Sequence, residues 1–152
     1  MLATETAMSA LERNWAMVDR AIEDADDSLL GGQPNDQSNS IGWLLFHMNR
    51  IVDRFVHTWC QDSPQLWAKD GWHHRFGLDD DINNTGQGWT QEQVSTWQLP
   101  SKEILVGYYD SVKAVAREYI QPLSASELGR EITNPPRPTA SIGSVLGVLV
   151  FD

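Results

Sequence analysis

Leu11, Trp15, Val18, Ile22, Ala25 and Leu29 alternate spacings of four and three. A helix turns once in about 3.6 residues, so such a series forms one apolar stripe along its side. A seam of this period packs against a nearly antiparallel neighbour in a bundle. The spacing therefore predicts a first helix over about residues 5–30. Gly31, Gly32 and Pro34 end it, because none of them continues a helix easily. The linker "GGQPNDQSNS" that follows is rich in turn formers.

Three more helices follow from the same reasoning. Asn39 or Ser40 can cap a second helix over about 40–60, with Ile41, Leu44, Leu45, Met48, Ile51, Val52 and Phe55 on one face. A third, over about 101–121, starts after Pro100 with Ser101 as cap and Glu103 in its first turn, and ends at Pro122. Ile104, Tyr108, Val112, Val115, Tyr119 and Ile120 share its apolar face. "SASELGREI" reads as a short helical turn and "TNPPRPTA" as an extended linker. The last helix, over about 140–152, is apolar almost all round, which requires burial on most sides. Gly143 and Gly147 would let a neighbour come close, and the chain stops at Asp152 without a cap, as if cut in mid-helix.

Residues 61–100 are different in character. Pro, Gly, Asn and Asp punctuate them, and Trp67, Trp72, Trp89 and Trp97 fall among them. They read as a long crossover with one or two short helices, pinned to the bundle by its tryptophans. "SPQLW" and "TQEQVSTW" each begin with an N-cap residue. The fold class expected is all-α: a single-domain four-helix bundle over 1–152, with the crossover between helices two and three.

Charge and composition narrow the function. Twenty-one acidic residues against 11 basic give a formal net charge of −10. No basic patch is available for phosphates, so nucleic acid and anionic membranes are not the expected partners. No apolar run is long enough to span a membrane, and the N-terminus lacks a signal-peptide pattern. Cys60 is the one cysteine, so no disulfide framework forms, and a cytoplasmic location is expected.

His47 is the leading candidate for chemistry. It lies in the middle of the apolar stretch "IGWLLFHMNRIVDRF". On a helical wheel starting at Ile41 it falls near about 240°, at the edge of the apolar face. An edge histidine usually bonds a carbonyl or water; the same position also suits a ligand lining a cavity between helices. His57 and Cys60 are three residues apart, but His57 falls near about 160°, toward solvent, and Cys60 reads as a small buried hydrophobe. His73 and His74 are adjacent in the crossover and expected to be exposed. "LDDDIN" lacks the later glycine and distal glutamate of a calcium loop and reads as a solvated turn. No phosphate loop, nucleophile elbow or paired-cysteine zinc motif is present in the sequence.

"NSIGWLLFHMNRIVDRF" resembles the second-helix signature of the DinB-like (DinB/YfiT-like) metalloenzyme superfamily. "QLWAKDGWHHRFGL", "GYYDSVKA" and "SIGSVLGVLVFD" resemble an actinobacterial-type branch of it, in the same order along the chain. The resemblance implies a four-helix bundle with a long connection between helices two and three. It also implies a divalent metal (zinc, nickel or iron) held by three histidines, one on helix two and two on helix four. His47 matches the first. Asp152 stands where the first helix-four histidine would be, and a carboxylate can replace imidazole as a ligand. The third ligand would fall one turn further on. Similar proteins include transferases and isomerases that use a low-molecular-weight thiol, and the expected partners are a small-molecule substrate or thiol and a second copy in a homodimer. The alternative is a non-catalytic small-ligand-binding or interaction bundle with a degenerate metal site.

Overall fold

The computed structural model describes residues 3–133 and 139–151. Asp152 and most of the "TNPPRPTA" linker lie outside them. The fold is all-α, with one two-stranded ribbon as an addition. Its frame is α1 (Ala3–Ile22), α3 (Ile41–Asp53) continued by a π-helix (Arg54–Trp59), α7 (Lys102–Ile120) and α9 (Ile142–Phe151). Short helices fill the connections: α2 (Asp27–Gly31), α4 (Leu66–Lys69), α5 (Trp72–Arg75), α6 (Gln91–Thr96) and α8 (Ala125–Leu128). β1 (Glu131–Ile132) pairs antiparallel with β2 (Ala140–Ser141), Glu131 opposite Ser141, and delivers the chain into α9. α3 packs along α7, and α1 along α9.

The first helix is shorter than its seam predicts. α1 ends at Ile22, and Asp26 starts α2 by accepting a hydrogen bond from the Leu29 amide. A short polar side chain that can cap a new turn competes with continuing the old one. The restart moves the seam by one residue. Leu11, Trp15, Ile22 and Ala25 are buried as expected, but Leu30 is fully buried and Leu29 is exposed.

Of the four expected caps, two form and two do not. Ser40 caps α3 through the Trp43 amide, and Thr90 forms a reciprocal capping box with Gln93 on α6. Gln65, not Ser63, precedes α4. Ser101 occupies the cap position of α7 but makes no cap bond with its side chain. The Lys102 amide donates to the Asp27 carboxylate of α2 instead, 2.7 Å away.

α3 is buried on two faces rather than one. Leu45, Val52 and Phe55 face the bundle, while Leu44 is exposed. Phe46, Arg50 and Asp53, all fully buried, lie beneath the crossover. Phe46 is the hub of that second core: its ring lies 5.1–5.8 Å from those of Trp67, Phe76, Trp89 and Trp97. The crossover tryptophans do pin the segment down. Their indole N–H groups are satisfied locally, Trp67 on the Asp79 carbonyl, Trp89 on the Asn84 side chain and Trp97 on the Phe76 carbonyl.

Candidate functional site

His47 sits half-buried on α3. Its Nδ1 lies 2.7 Å from the carbonyl oxygen of Thr85, in the crossover. A carbonyl only accepts, so Nδ1 carries the proton in this bond, which in the neutral ring leaves the lone pair on Nε2. The ring also stacks on Trp43, with centroids 5.0 Å apart and planes 12° from parallel.

On its other side His47 borders a small cavity of about 60 Å³ between the long helices. Asn49 joins it from α3, Asn14 and Trp15 from α1, Tyr109 from α7 and Leu149 from α9. Asn14 donates to the Val150 carbonyl at 2.8 Å, tying α1 to the far end of α9. Tyr109 donates to the Trp15 carbonyl at 3.1 Å, and burial pushes its phenol well above the usual range. The cavity is therefore mostly apolar, with one imidazole and two carboxamides on its wall. Asn14, Asn49 and Tyr109 were not legible as lining residues. Asn14 lies three positions after Leu11 and beside Trp15, which is the only hint the sequence offers.

A zinc, nickel or iron ion takes an imidazole whose other nitrogen is donated to a carbonyl. His47 fits that requirement as a first ligand. Among the described residues no three His, Cys, Asp or Glu side chains gather as a metal would need. Asp152, expected as a second ligand, lies outside the described residues.

Arg50 and the crossover tryptophans stand apart from the cavity, and none of them lines it. Arg50 points the other way and is fully buried, its guanidinium 4.4 Å from the Trp67 ring centroid. It donates to the carbonyls of Asp81, Ile82 and Asn84, and to the Gln65 side chain at 2.7 Å. Asp53, one turn on, lies 3.6 Å from it. Asp53 also accepts from the amides of Leu66 and Trp67 and from the Tyr108 hydroxyl. The phenol of Tyr108 is held well above its usual range by burial, with the Asp53 charge adding to it.

His57 is not turned to solvent as the 100° wheel places it. Its Nδ1 lies 2.7 Å from Asp53 Oδ1, and its ring is only 13% exposed. The wheel puts His57 near about 160°, between Phe46 near about 140° and Arg50 near about 180°, so it falls on the face of the helix that the crossover buries. His57 and Cys60 do not form a pair: Cys60 is buried, and burial pushes its thiol up to about 11. His73 bonds the Trp67 carbonyl at 2.9 Å, and His74 is exposed. In "LDDDIN", Asp81 Oδ1 accepts from the Asn83 amide, which makes it the local turn expected.

Comparisons with known proteins speak to the fold and the family. No curated protein matches the chain. A solved structure of a conserved protein from Enterococcus faecalis superposes with a TM-score of 0.83 at 20% identity, covering 99% of this chain and 88% of that one. At that identity the likeness shows the fold. The sequence model of the DinB superfamily matches residues 10–151. With the match spanning both the His47 helix and α9, this chain belongs to the DinB superfamily.

Proposed function

We propose that this protein binds a divalent metal through His47 and Asp152, and acts on a small molecule with a low-molecular-weight thiol as a transferase or isomerase. The observation that carries the reading is His47 itself. Its Nδ1 is committed to the Thr85 carbonyl, and its ring borders a cavity between four helices. A metal held there would lower the pKa of a bound thiol or water and supply a nucleophile at neutral pH. Trp15, Leu149 and the Tyr109 ring give the cavity an apolar wall. The carboxamides of Asn14 and Asn49 offer hydrogen bonds that orient a polar substrate. A homodimer fits this proposal, since Val148 and Phe151 stand exposed on α9.

Elemental analysis of the purified chain tests it. One equivalent of zinc, nickel or iron is expected, and it is lost on His47→Ala. No metal in the unaltered protein would sink the enzyme reading and leave a non-catalytic small-ligand bundle. Thiol transfer is then assayed with a panel of low-molecular-weight thiols, and inactivity with every one of them removes the thiol half of the proposal.

A further inference from the structure

The imidazole of His47 is held by Trp43 of its own helix and by a carbonyl of the crossover. Thr85 supplies the carbonyl that accepts from Nδ1 at 2.7 Å. The carbonyls just before it, of Asp81, Ile82 and Asn84, all accept from one side chain, Arg50, at 3.0–3.3 Å. Gln65 adds a bond from its amide to Ile82 at 3.1 Å and accepts from Arg50 at 2.7 Å. On the other side of Thr85, Gly86 adopts φ +82°, and a Cβ there would stand 3.0 Å from the Trp43 ring and 3.1 Å from Phe46. Trp43 is the ring that stacks on His47. One contact that fixes the imidazole therefore lies within residues 81–86, and the ring that makes the other packs against Gly86.

We propose that this segment, bolted down by Arg50, selects the His47 tautomer and reserves Nε2 for a ligand in the interhelical cavity. Arg50 is a positioning residue: it touches neither His47 nor the cavity. A guanidinium presents five N–H donors spread over a fixed planar fork, so one side chain can hold three carbonyls within four residues of loop and Gln65 as well; an ammonium has three donors on one atom and lacks that spread. Arg50 lies three residues from His47 on α3, so the helix that carries the imidazole also carries the anchor of the loop that orients it. The proposal rests on the reading of His47 as a ligand, but its central observable needs no metal.

The test uses the full chain, metal-free and labelled with ¹⁵N-histidine. Long-range ¹H–¹⁵N correlation spectra report the tautomer of each ring, and His47→Gln identifies the His47 signals. The unaltered protein should show a single Nδ1–H tautomer at His47. Arg50→Lys keeps a cation near Asp53 but loses the fork. Its His47 should become a mixture of tautomers, and affinity for added Ni²⁺ should fall about 10–100-fold. Gly86→Ala strains the same loop from its other end and should shift the tautomer too; it decides the matter if Arg50→Lys does not fold. Ile120→Val, in the core at the end of α7, lowers stability without touching the loop and should leave the His47 signals unchanged. An Nε2–H tautomer in the unaltered protein overturns the proposal. So does an unshifted His47 in both Gly86→Ala and any folded Arg50→Lys. A pure Nδ1–H tautomer in a chain that takes up no Ni²⁺ would refute the metal reading alone.

Discussion

Asp53 is the residue on which the most depends without any chemistry being asked of it. Its carboxylate, fully buried, meets two backbone amides, a phenol and an imidazole, with Arg50 beside it. Removing a buried charge's partner costs about 3–5 kcal/mol, because the other groups stay desolvated. Asp53→Ala should lower the stability of the chain by about that much, measured by urea unfolding. Cys60 gives a second expectation. Its thiol is held at about 11 against an ordinary 9.0, chiefly by burial, so native Cys60 is about a thousandth thiolate near pH 8 and should react slowly with thiol reagents until the chain unfolds. The sign of the linkage follows. Between pH 9.0 and about 11 the folded chain keeps a proton the unfolded chain has lost, so stability falls as pH rises. Urea melts at the two ends of that window should show a flatter loss for Cys60→Ala; an unchanged slope would count against a protonated native thiol. His47 was legible in the sequence because an imidazole among aliphatic side chains breaks a pattern. Asp53 was not, because its main partners are backbone amides 13 and 14 residues away, which no side-chain pattern announces.

Among the elements, the connections differ most from what periodicity predicts. A wheel drawn for one helix cannot see the crossover that covers Phe46 and Arg50, so it gave the face of His57 to solvent. Nor can it see a cap donated from another helix. α7 begins on Asp27 of α2, which couples that short helix to the start of the third long helix. Asp27→Ala should therefore cost about 1 kcal/mol, as the loss of an N-cap does, while Ser101→Ala should stay within about 0.5 kcal/mol of the unaltered chain. Thermal or urea denaturation of the two variants separates them; the opposite order would restore Ser101 as the cap. The long helices themselves were readable, since each buries a stripe whose period is its own. α3 was readable only in part. Its second buried face carries Phe46, Arg50 and Asp53, and a face that mixes an aromatic with two charges does not look apolar.

At the scale of the molecule, the crossover is part of the core. Its helices α4, α5 and α6 contain only four to six residues each, too short to hold their shape alone. What holds them is shared with α3 and α7: the ring cluster around Phe46 and the polar network of Arg50, Asp53 and Tyr108. Trp67 and Phe76 each lie within 5.7 Å of Tyr108 as well as Phe46's ring within 5.8 Å, so the cluster bridges both long helices. Two layers joined in this way should not come apart separately. Far-UV circular dichroism reports mainly the long helices, whereas four of the seven tryptophans, Trp67, Trp72, Trp89 and Trp97, weight the fluorescence toward the crossover. The two urea transitions should coincide, with one midpoint and one slope. A fluorescence change that precedes the loss of helix would mean that the crossover opens as a unit of its own, at lower free energy than the bundle. His47 would then lose its Thr85 partner before the fold is lost, and the orientation of the imidazole would depend on a local equilibrium instead of on the stability of the whole.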